Sequence, residues 1–299
     1  MTDDSHNSKR RWGAEQRLEF IEFRAYWEGG VNRSDITERF GVSVPQASAD
    51  LGSYRELAPG NLAYDSSAKR YVAADDFTPR FLDPSPDRYL AQLRALAEGV
   101  LDQSDTWLGA LPEACAMPVP YRRVDAGLFR TLLGVMRAGR SVEVLYQSLN
   151  PRKPEAAWRR ITPHAFGSDG LRWHVRGFCH IDSSFKDFIL PRWREMRAIG
   201  DPGASGAQDR DWVETFAVKL APNPSLSAVQ KKAVAWEFDM PAGGLTLPVQ
   251  IAMLYYLKRS LRLDDTSESP SEAPVVVANR DAFEEALASA EGRLIDRAG

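Results

Sequence analysis

The side chains best suited to hold an anion are concentrated between Trp158 and Trp193, where short runs of β-forming residues alternate with arginine, histidine and lysine. In the run 172–176, the alternation predicts a strand with Trp173 and Val175 facing a core and with the arginines and the histidine on an open face. Guanidinium groups form paired hydrogen bonds with phosphate. The pattern therefore indicates a small sheet that binds a nucleotide or nucleic acid. From composition alone, an ordinary sheet with a solvated basic face is an equal alternative.

The candidates for this anion site come from three neighbouring runs and from the strand that precedes them. They are Tyr146, Ser148, Arg160, His164, His174, Arg176, Lys186 and Arg192. Histidine titrates near neutrality, so an anion is expected to bind more tightly as the pH falls. For each single residue the alternative is a solvated or salt-bridged side chain, and Asp187 is an available partner for an arginine.

The same runs resemble the WYL domain family. The tripeptide that names the family corresponds to Trp173-His174-Val175, which departs from it at the second and third letters. Residues 160–164 (Arg-Ile-Thr-Pro-His) are similar to the preceding strand of the family, and residues 186–192 (Lys-Asp-Phe-Ile-Leu-Pro-Arg) to its closing strand, with lysine at the first basic position. These variants resemble the branch that regulates anti-phage defence islands of the BREX and CBASS types. The resemblance implies a small SH3-like β-barrel with a nucleotide or nucleic-acid effector.

The length and composition are those of a globular protein with two or three domains. The chain has 299 residues, of which 43% are apolar and 26% charged. No apolar run approaches the roughly 18 residues that a membrane span needs, and the polar N-terminus does not have the pattern of a signal peptide. Cys115 and Cys179 lack the spacing of a metal site. We therefore expect a cytoplasmic protein with free thiols, no metal, no cofactor and no membrane contact.

The charge is unevenly distributed along the chain. The formal net charge is −3, but residues 121–200 carry 15 basic and 7 acidic side chains, a net charge of +8. The segments 75–120 and 201–299 each carry −5, and residues 1–74 carry −1. A basic block between acidic flanks favours a localised anion site over a diffuse polycation.

The N-terminal region predicts a winged helix-turn-helix. A helix over 13–27, a short helix capped by Asn32 or Ser34 and ended at Gly41, a helix over 44–57 capped by Ser43, and a β-hairpin over 61–72 follow one another. The sequences at 40–43 and 50–51 resemble the DeoR-like version of this motif.

A recognition helix places its first residues against base edges. The predicted DNA contacts are Arg11, Ser43, Gln46, Ser48, Tyr54, Arg55, Lys69 and Arg70. Gln46 can bind adenine with two hydrogen bonds, whereas Tyr54, Arg55 and the wing residues are expected on phosphates. Because the region has a net charge of −1, a protein-interaction module is the alternative.

The remaining segments complete a predicted α+β multidomain protein. We assign 1–78 to the winged helix, 79–120 to a linker and a helix, 121–200 to the WYL-like domain and 210–299 to a C-terminal α/β extension. The helix over 87–101 has an apolar stripe of Leu90, Leu93, Ala97 and Leu101. The extension is predicted as strand 215–220, helix 227–233, strand 235–239, a long helix over 247–261, a mobile loop over 267–274 and helix 281–287. Residues 220–226 and 254–257 resemble the extension that accompanies WYL domains, which implies a role in dimerisation.

The function that these predictions favour is a ligand-responsive, homodimeric repressor that binds an inverted-repeat operator in double-stranded DNA. The resemblance implies an anti-phage defence operon as its target. Catalysis is not expected, because GxSxG, HExxH, P-loop and GxGxxG motifs are missing and neighbouring Cys179 and His180 point to opposite faces of a strand. An RNA- or single-strand-binding accessory subunit of a defence enzyme, and an activator that contacts RNA polymerase, are the alternatives.

Overall fold

A computed structural model describes residues 3–120, 122–151, 154–263 and 272–291, with side chains from Trp12 to Ala290. The chain forms two compact units, Met1–Val119 and Pro120–Gly299. No helix among the described residues is long and apolar enough to cross a bilayer.

The first unit begins with a winged helix-turn-helix, as the sequence predicted. Its elements are α1 (Asp3–Glu28), β1 (Gly30–Val31), α2 (Arg33–Phe40), α3 (Val44–Leu57), β2 (Leu62–Asp65), β3 (Arg70–Ala73) and α4 (Pro86–Ala97). The helices close on one apolar core, in which Ile21, Ile36 and Leu51 are buried. Strand β3 lies between β1 and β2 in an antiparallel wing.

Local signals fix the turn between α2 and α3. Asn32 caps α2 in a capping box with Asp35, and the helix ends at Gly41, whose φ of 63° lies in the left-handed region that glycine tolerates. Ser43 then caps α3 by accepting a hydrogen bond from the Gln46 backbone N–H. The two helices therefore start and stop where the sequence predicted.

The segment that follows the wing, predicted as a linker and a helix, packs on α1. Asn61 holds Thr78 through two hydrogen bonds, to its backbone N–H at 3.1 Å and its carbonyl at 2.8 Å. In α4, Tyr89 stacks on Phe23 and Leu93 of the predicted stripe is half-buried, whereas Leu90 of that stripe is 57% exposed. Residues 79–119 thus belong to the same compact unit as the winged helix.

The second unit contains a central sheet and a C-terminal sheet. Its elements are α5 (Ala126–Arg137), β4 (Ser141–Tyr146), β5 (Ala157–Ser168), β6 (Trp173–Cys179), β7 (Ser184–Ile189), β8 (Trp193–Gly200), α6 (Arg210–Val213), β9 (Thr215–Pro222), α7 (Ala228–Glu237), β10 (Leu245–Gln250), α8 (Leu254–Ser260), β11 (Val275–Val277) and α9 (Arg280–Glu291).

The central sheet is antiparallel with the strand order β7-β6-β5-β4-β8. One face forms a core in which Val144, Ile161 and Val175 are fully buried, and α5 packs against it through Leu132. A register shift between Pro163 and Ala165 interrupts the pairing of β5 with β6. A shift of this kind bends a strand locally.

The C-terminal sheet has the order β10-β9-β11, and here two predicted elements are wrong. The predicted strand over 235–239 is the end of α7, because the capping box of Ser227 and Gln230 starts a helix that continues to Glu237. The predicted long helix over 247–261 is divided into β10 and α8. Strand β10 pairs with β9 at six positions, and its Pro248 is tolerated because β10 is an edge strand. Residues 264–271, and with them part of the predicted loop, lie outside the described residues.

Candidate nucleic-acid interface and anion site

The first turns of α3 present a polar surface. Ser43, Gln46 and Ser48 are exposed, whereas Ala47 and Leu51 on the other side of the helix are buried in the core. This is the arrangement that base readout needs, because the exposed side chains near the helix N-terminus are the ones that reach a groove. Which base, if any, each of them contacts stays a prediction.

Gln46 is held in a fixed orientation by a buried carboxylate. Its side-chain Nε2 donates to Asp50 Oδ1 at 3.0 Å, and Asp50 also binds Arg17 of α1 through Nε at 2.7 Å and Nη2 at 3.1 Å. Among the described residues, no other hydrogen bond uses the side-chain amide oxygen or the second amide hydrogen of Gln46. A pre-oriented amide loses less rotational freedom on binding.

Tyr54 was predicted to contact a DNA phosphate, and this prediction is wrong. The side chain is fully buried, and its hydroxyl donates to Glu22 at 2.7 Å and accepts from Asn61 Nδ2 at 3.0 Å. Burial raises the pKa of Tyr54, and the hydrogen bond to Glu22 adds to that shift while Asn61 opposes it. A side chain without exposed surface cannot reach a phosphate, so Tyr54 supports α3 from inside.

Glu22 of α1, which sequence reasoning missed, is the centre of that buried network. It is 0% exposed and accepts hydrogen bonds from Tyr54 and from the backbone N–H groups of Arg80, Phe81 and Leu82, at 2.6–2.9 Å. The signal in the sequence is a glutamate within the apolar run Phe-Ile-Glu-Phe over 20–23. The network ties the recognition helix to the chain that leaves the wing.

The other predicted DNA contacts have different environments. Arg55 is exposed with its guanidinium 5.7 Å from the Tyr71 ring, and Lys69 is exposed in the wing turn with a φ of 52°. Arg70 is half-buried and donates to the Glu28 carbonyl at 3.4 Å, near the end of α1. The side chain of Arg11 lies outside the described side chains.

In the second unit, the basic face of β6 is covered instead of open. Arg176 is 1% exposed and donates to both oxygens of Asp209, from Nε at 2.7 Å and from Nη2 at 3.0 Å. Asp187 lies 3.3 Å from its Nη1 and Asp211 lies 3.7 Å from its Nη2. Burial would lower the pKa of Arg176, but the hydrogen bond to Asp209 and the charges of all three carboxylates raise it. The guanidinium is thus committed to carboxylates of the same unit.

His174, also predicted on the open face, is buried beside Tyr256 of α8. Its Nε2 lies 3.2 Å from Asp169 Oδ2, and its Nδ1 lies 3.5 Å from the Tyr256 hydroxyl, which donates to Asp187 at 3.0 Å. Burial lowers the pKa of His174, although the hydrogen bond to Asp169 opposes that shift. Trp173, predicted in the core, is instead 56% exposed at the start of β6. The predicted alternation holds for Val175, which lies in the core, but the pattern did not show that α8 and the segment 209–211 cover the other face of β6.

Lys186 and Arg159 share one carboxylate inside the same sheet. Lys186 Nζ lies 2.8 Å and Arg159 Nη1 lies 3.1 Å from Asp182 Oδ2. Although burial raises the pKa of Asp182, the hydrogen bonds from Lys186 and Cys179 lower it to about 2. Cys179 is buried with Sγ 3.1 Å from the same oxygen, whereas Cys115 of the first unit is exposed. The prediction that Lys186, His174 and Arg176 line an open face is therefore wrong.

The other candidates of the anion site fall into two groups. Tyr146 and Ser148 are nearly buried, and the Tyr146 hydroxyl accepts the Ile189 backbone N–H at 3.3 Å. Arg160, His164 and Arg192 keep part of their surface exposed, with His164 Nε2 3.0 Å from Asp209. Their role toward a ligand stays a prediction.

Sequence reasoning missed two members of a partly exposed cluster that includes the predicted Arg160, namely Trp158 and Arg197. Arg197 lies with its guanidinium carbon 3.8 Å from the centroid of the Trp158 ring and donates to Glu143 at 2.9 Å. Arg160 Nη2 lies 3.3 Å from the same glutamate. The register of β5 and β8 on β4 brings these side chains together, and Trp158 at the start of the basic run was the signal. Among the described residues, no cluster of histidine, cysteine or carboxylate side chains could hold a metal ion.

Two protein-family models match this chain, one in its N-terminal part and one in its C-terminal part. Residues 13–95 match the winged helix-turn-helix domain of the BrxR transcriptional regulator, and residues 215–283 match the C-terminal dimerization domain of the same regulator. An alignment with the structure of proteasome accessory factor B/C of Arthrobacter aurescens has 15% identity and covers 95% of this chain and 49% of that one. Its TM-score of 0.23 is too low to support a conclusion about the fold.

Whole-length relatives share a single name, DNA-binding transcriptional repressor CapW. The protein from Pseudomonas aeruginosa is 36% identical, over 96% of this chain and 97% of its own length. The proteins from Stenotrophomonas maltophilia and Escherichia coli are 36% and 34% identical, over 93% and 91% of either chain. At this identity and coverage, the chain belongs to the CapW family of DNA-binding transcriptional repressors.

Proposed function

We propose that this chain is a homodimeric repressor that binds an inverted-repeat operator through α3 and the wing. The observation that carries this proposal is the exposed first turn of α3, where Asp50 and Arg17 orient Gln46. Membership of a repressor family makes the chain a regulator and not an enzyme. Paired half-sites match a two-fold dimer, for which the match of residues 215–283 to a dimerization domain supplies the element.

A nucleotide or a piece of nucleic acid is the effector that we propose for the central domain, residues 121–200. The partly exposed set of Trp158, Arg160 and Arg197 supports this, because it brings an aromatic ring and two guanidinium groups into one cluster around Glu143. Arg192, partly exposed where β8 begins, is a further candidate. The order of the five strands and the bend in β5 are consistent with the SH3-like barrel that the WYL resemblance implies.

The buried ionic network gives the effector a route to the dimerisation element. Arg176 of β6 binds Asp209, which lies just before α6, and Tyr256 of α8 binds Asp187 of β7. A ligand that moves the central sheet would therefore strain contacts with residues 210–299, our proposed dimerisation domain. The repressor then shifts between arrangements that match and do not match the operator spacing.

For the target we propose an operon of anti-phage defence. The support is the resemblance of the Trp-His-Val-Arg and Asp-Phe-x-Leu variants, at 173–176 and 187–190, to regulators of such islands. The same resemblance connects the effector to nucleic acid, a molecule that an infecting phage introduces or degrades.

The purified full-length chain and a genome-wide footprint test the operator proposal. We expect protection of a palindrome beside the chain's own gene, in two half-sites about one helical turn or a multiple of it apart. Tight binding of RNA or single-stranded DNA without any protected palindrome would favour the accessory-subunit alternative instead.

Arg160→Ala tests the effector proposal separately. Short oligonucleotides or nucleotides should raise the melting temperature of the wild-type chain but not of this variant, because a ligand that binds only the folded state stabilises it. Operator affinity should be unchanged. If affinity falls together with the lost charge, the basic sheet binds operator DNA and the effector proposal is wrong.

A further inference from the structure

The first unit contains a pocket that neither the recognition helix nor the wing contributes to. Its volume is about 260 Å³, and it lies between α1, the segment that runs from Leu82 into α4, and residues 105–107. Four of its lining side chains are aromatic: Phe23, Trp27, Tyr89 and Trp107. The volume is below the roughly 300–1,000 Å³ of pockets for drug-sized ligands, so an occupant must be small.

The aromatic rings form a continuous wall. Tyr89 stacks on Phe23 at 6.3 Å between centroids and lies 5.3 Å from Trp27, while Trp107 meets Phe23 edge-on at 5.7 Å. Phe23 is buried, but Trp27, Tyr89 and Trp107 keep part of their surface exposed. The faces of aromatic rings attract cations, because the ring quadrupole places negative charge on the face.

The polar lining is acidic. Glu19, Asp83 and Asp105 oppose a single base, Arg88. The hydroxyl of Ser85 caps α4 by accepting the Arg88 backbone N–H, so the helix start uses one of its donors internally. The pocket therefore has a formal charge of −2 when these groups are ionised.

Glu19 is the acidic group best placed to gain from a cation. Burial raises its pKa, and nearby Glu22 adds to that shift while Arg88 opposes it. Its hydrogen bond within the described side chains comes from the neutral amide of Gln16 at 3.2 Å, and none of them forms a salt bridge with it. A partly desolvated carboxylate in a pocket lined by aromatic rings is a complementary environment for positive charge.

We propose that this pocket binds a small organic cation with a guanidinium or alkylammonium head, held by the aromatic wall and neutralised by Glu19 and Asp83. This site differs from the proposed effector site in domain and in charge preference. Leu82, which lines the pocket, also donates its backbone N–H to Glu22 at 2.6 Å. An occupant therefore lies beside the network that supports the recognition helix.

Calorimetric titration of the full-length chain tests the proposal. Agmatine and choline are the cationic probes, and acetate is the anionic one. We expect saturable binding of at least one cation and none of acetate. Glu19→Gln should weaken cation binding about tenfold, and Asp83→Asn, at an exposed position, should weaken it by a smaller factor. Glu38→Gln, an exposed carboxylate of α2 outside the pocket, is the matched control and should bind as the wild type does.

A second arm identifies the source of the cation. A blocked Gly-Arg-Gly peptide that binds at least about tenfold more tightly than agmatine would indicate an arginine side chain of a partner protein. Equal affinities would indicate a free small molecule. Absence of saturable cation binding, or equal loss in Glu38→Gln and Asp83→Asn, would overturn the proposal. The exposed position of Asp83 keeps this outcome decisive even if Glu19→Gln does not fold.

Discussion

Each unit has a buried charged side chain at the centre of a hydrogen-bond network, and the two networks stabilise that charge in opposite ways. In the first unit, Glu22 is surrounded by neutral donors, namely one tyrosine hydroxyl and three backbone N–H groups. In the second unit, Arg176 is surrounded by charges, with Asp209, Asp187 and Asp211 around one guanidinium. The first arrangement fixes the path of the backbone, whereas the second joins side chains from distant segments.

This difference determines how each unit responds to a perturbation. Side-chain substitutions other than proline leave backbone donors in place, so the hydrogen bonds that hold residues 80–82 are best removed at Glu22. A network of side chains can rearrange when one partner finds another, and a phosphate could compete with a carboxylate for a guanidinium. We therefore expect a rigid DNA-binding unit and a second unit whose ionic contacts respond to anions.

The largest expected effect comes from Arg176→Met. Removal of one partner from a buried ionic network costs about 3–5 kcal/mol, because the carboxylates stay buried without compensation. Urea denaturation followed by tryptophan fluorescence measures it, because five of the eight tryptophans lie in the second unit. Arg197→Met is the control, since its salt bridge to Glu143 is exposed and should cost at most about 1 kcal/mol. Equal losses in the two variants would mean that Arg176 is not the centre of the network.

Glu22→Gln should have the next largest effect. One oxygen becomes an NH₂ group that faces backbone donors, so hydrogen bonds to residues 80–82 are lost at a cost of about 3 kcal/mol. Operator affinity should fall as well, because the single amide oxygen cannot accept from both Tyr54 and the backbone N–H groups, which weakens the link to α3. Thermal denaturation and a gel-shift titration measure the two losses, with Glu38→Gln as the exposed control. A stable variant with normal operator affinity would contradict the role of Glu22 as a link between α3 and the chain after the wing.

Gln46→Ala should change recognition without changing stability. The side chain is exposed, and each lost base contact costs about 1–3 kcal/mol of discrimination between operator and scrambled DNA. Lys69→Ala provides the contrast, because a lost phosphate contact should weaken binding to both DNAs alike. If Gln46→Ala discriminates as the wild type does, α3 does not use this residue to recognise bases.

The smallest expected effect concerns pH. Because the pKa of Asp182 is lowered to about 2 in the folded chain, its ionised form stabilises the second unit at any pH above the ordinary range of a carboxylate. That contribution is lost as the pH falls toward 2. Acid titration of the urea midpoint should therefore show a shallower loss for Asp182→Asn than for the wild type. Identical slopes would show that Asp182 does not contribute to the acid sensitivity.

The sequence was sufficient where structure depends on neighbouring residues. Asn32, Gly41 and Ser43 determine the start and end of α2 and α3 within a few positions along the chain, and those predictions were confirmed. The environment of Arg176 depends on Asp209, 33 residues away, so strand alternation predicted its face but not its cover. Tyr54 was misplaced for the same reason, because Glu22 lies on another helix. The sequence predicts a helix in place of β10 because the apolar residues of this strand run directly into those of α8.

The reactivity of the two thiols can report whether the central sheet opens. Cys115 is exposed, so a maleimide or disulfide reagent should modify it at once in the native chain. Cys179 is buried and burial raises the pKa of its thiol, so its modification requires the central sheet to open. The rate at which Cys179 is modified therefore measures how often the central sheet opens. An effector that stabilises the sheet would lower the modification rate of Cys179, and one that destabilises the sheet would raise it. Neither measurement needs an engineered label.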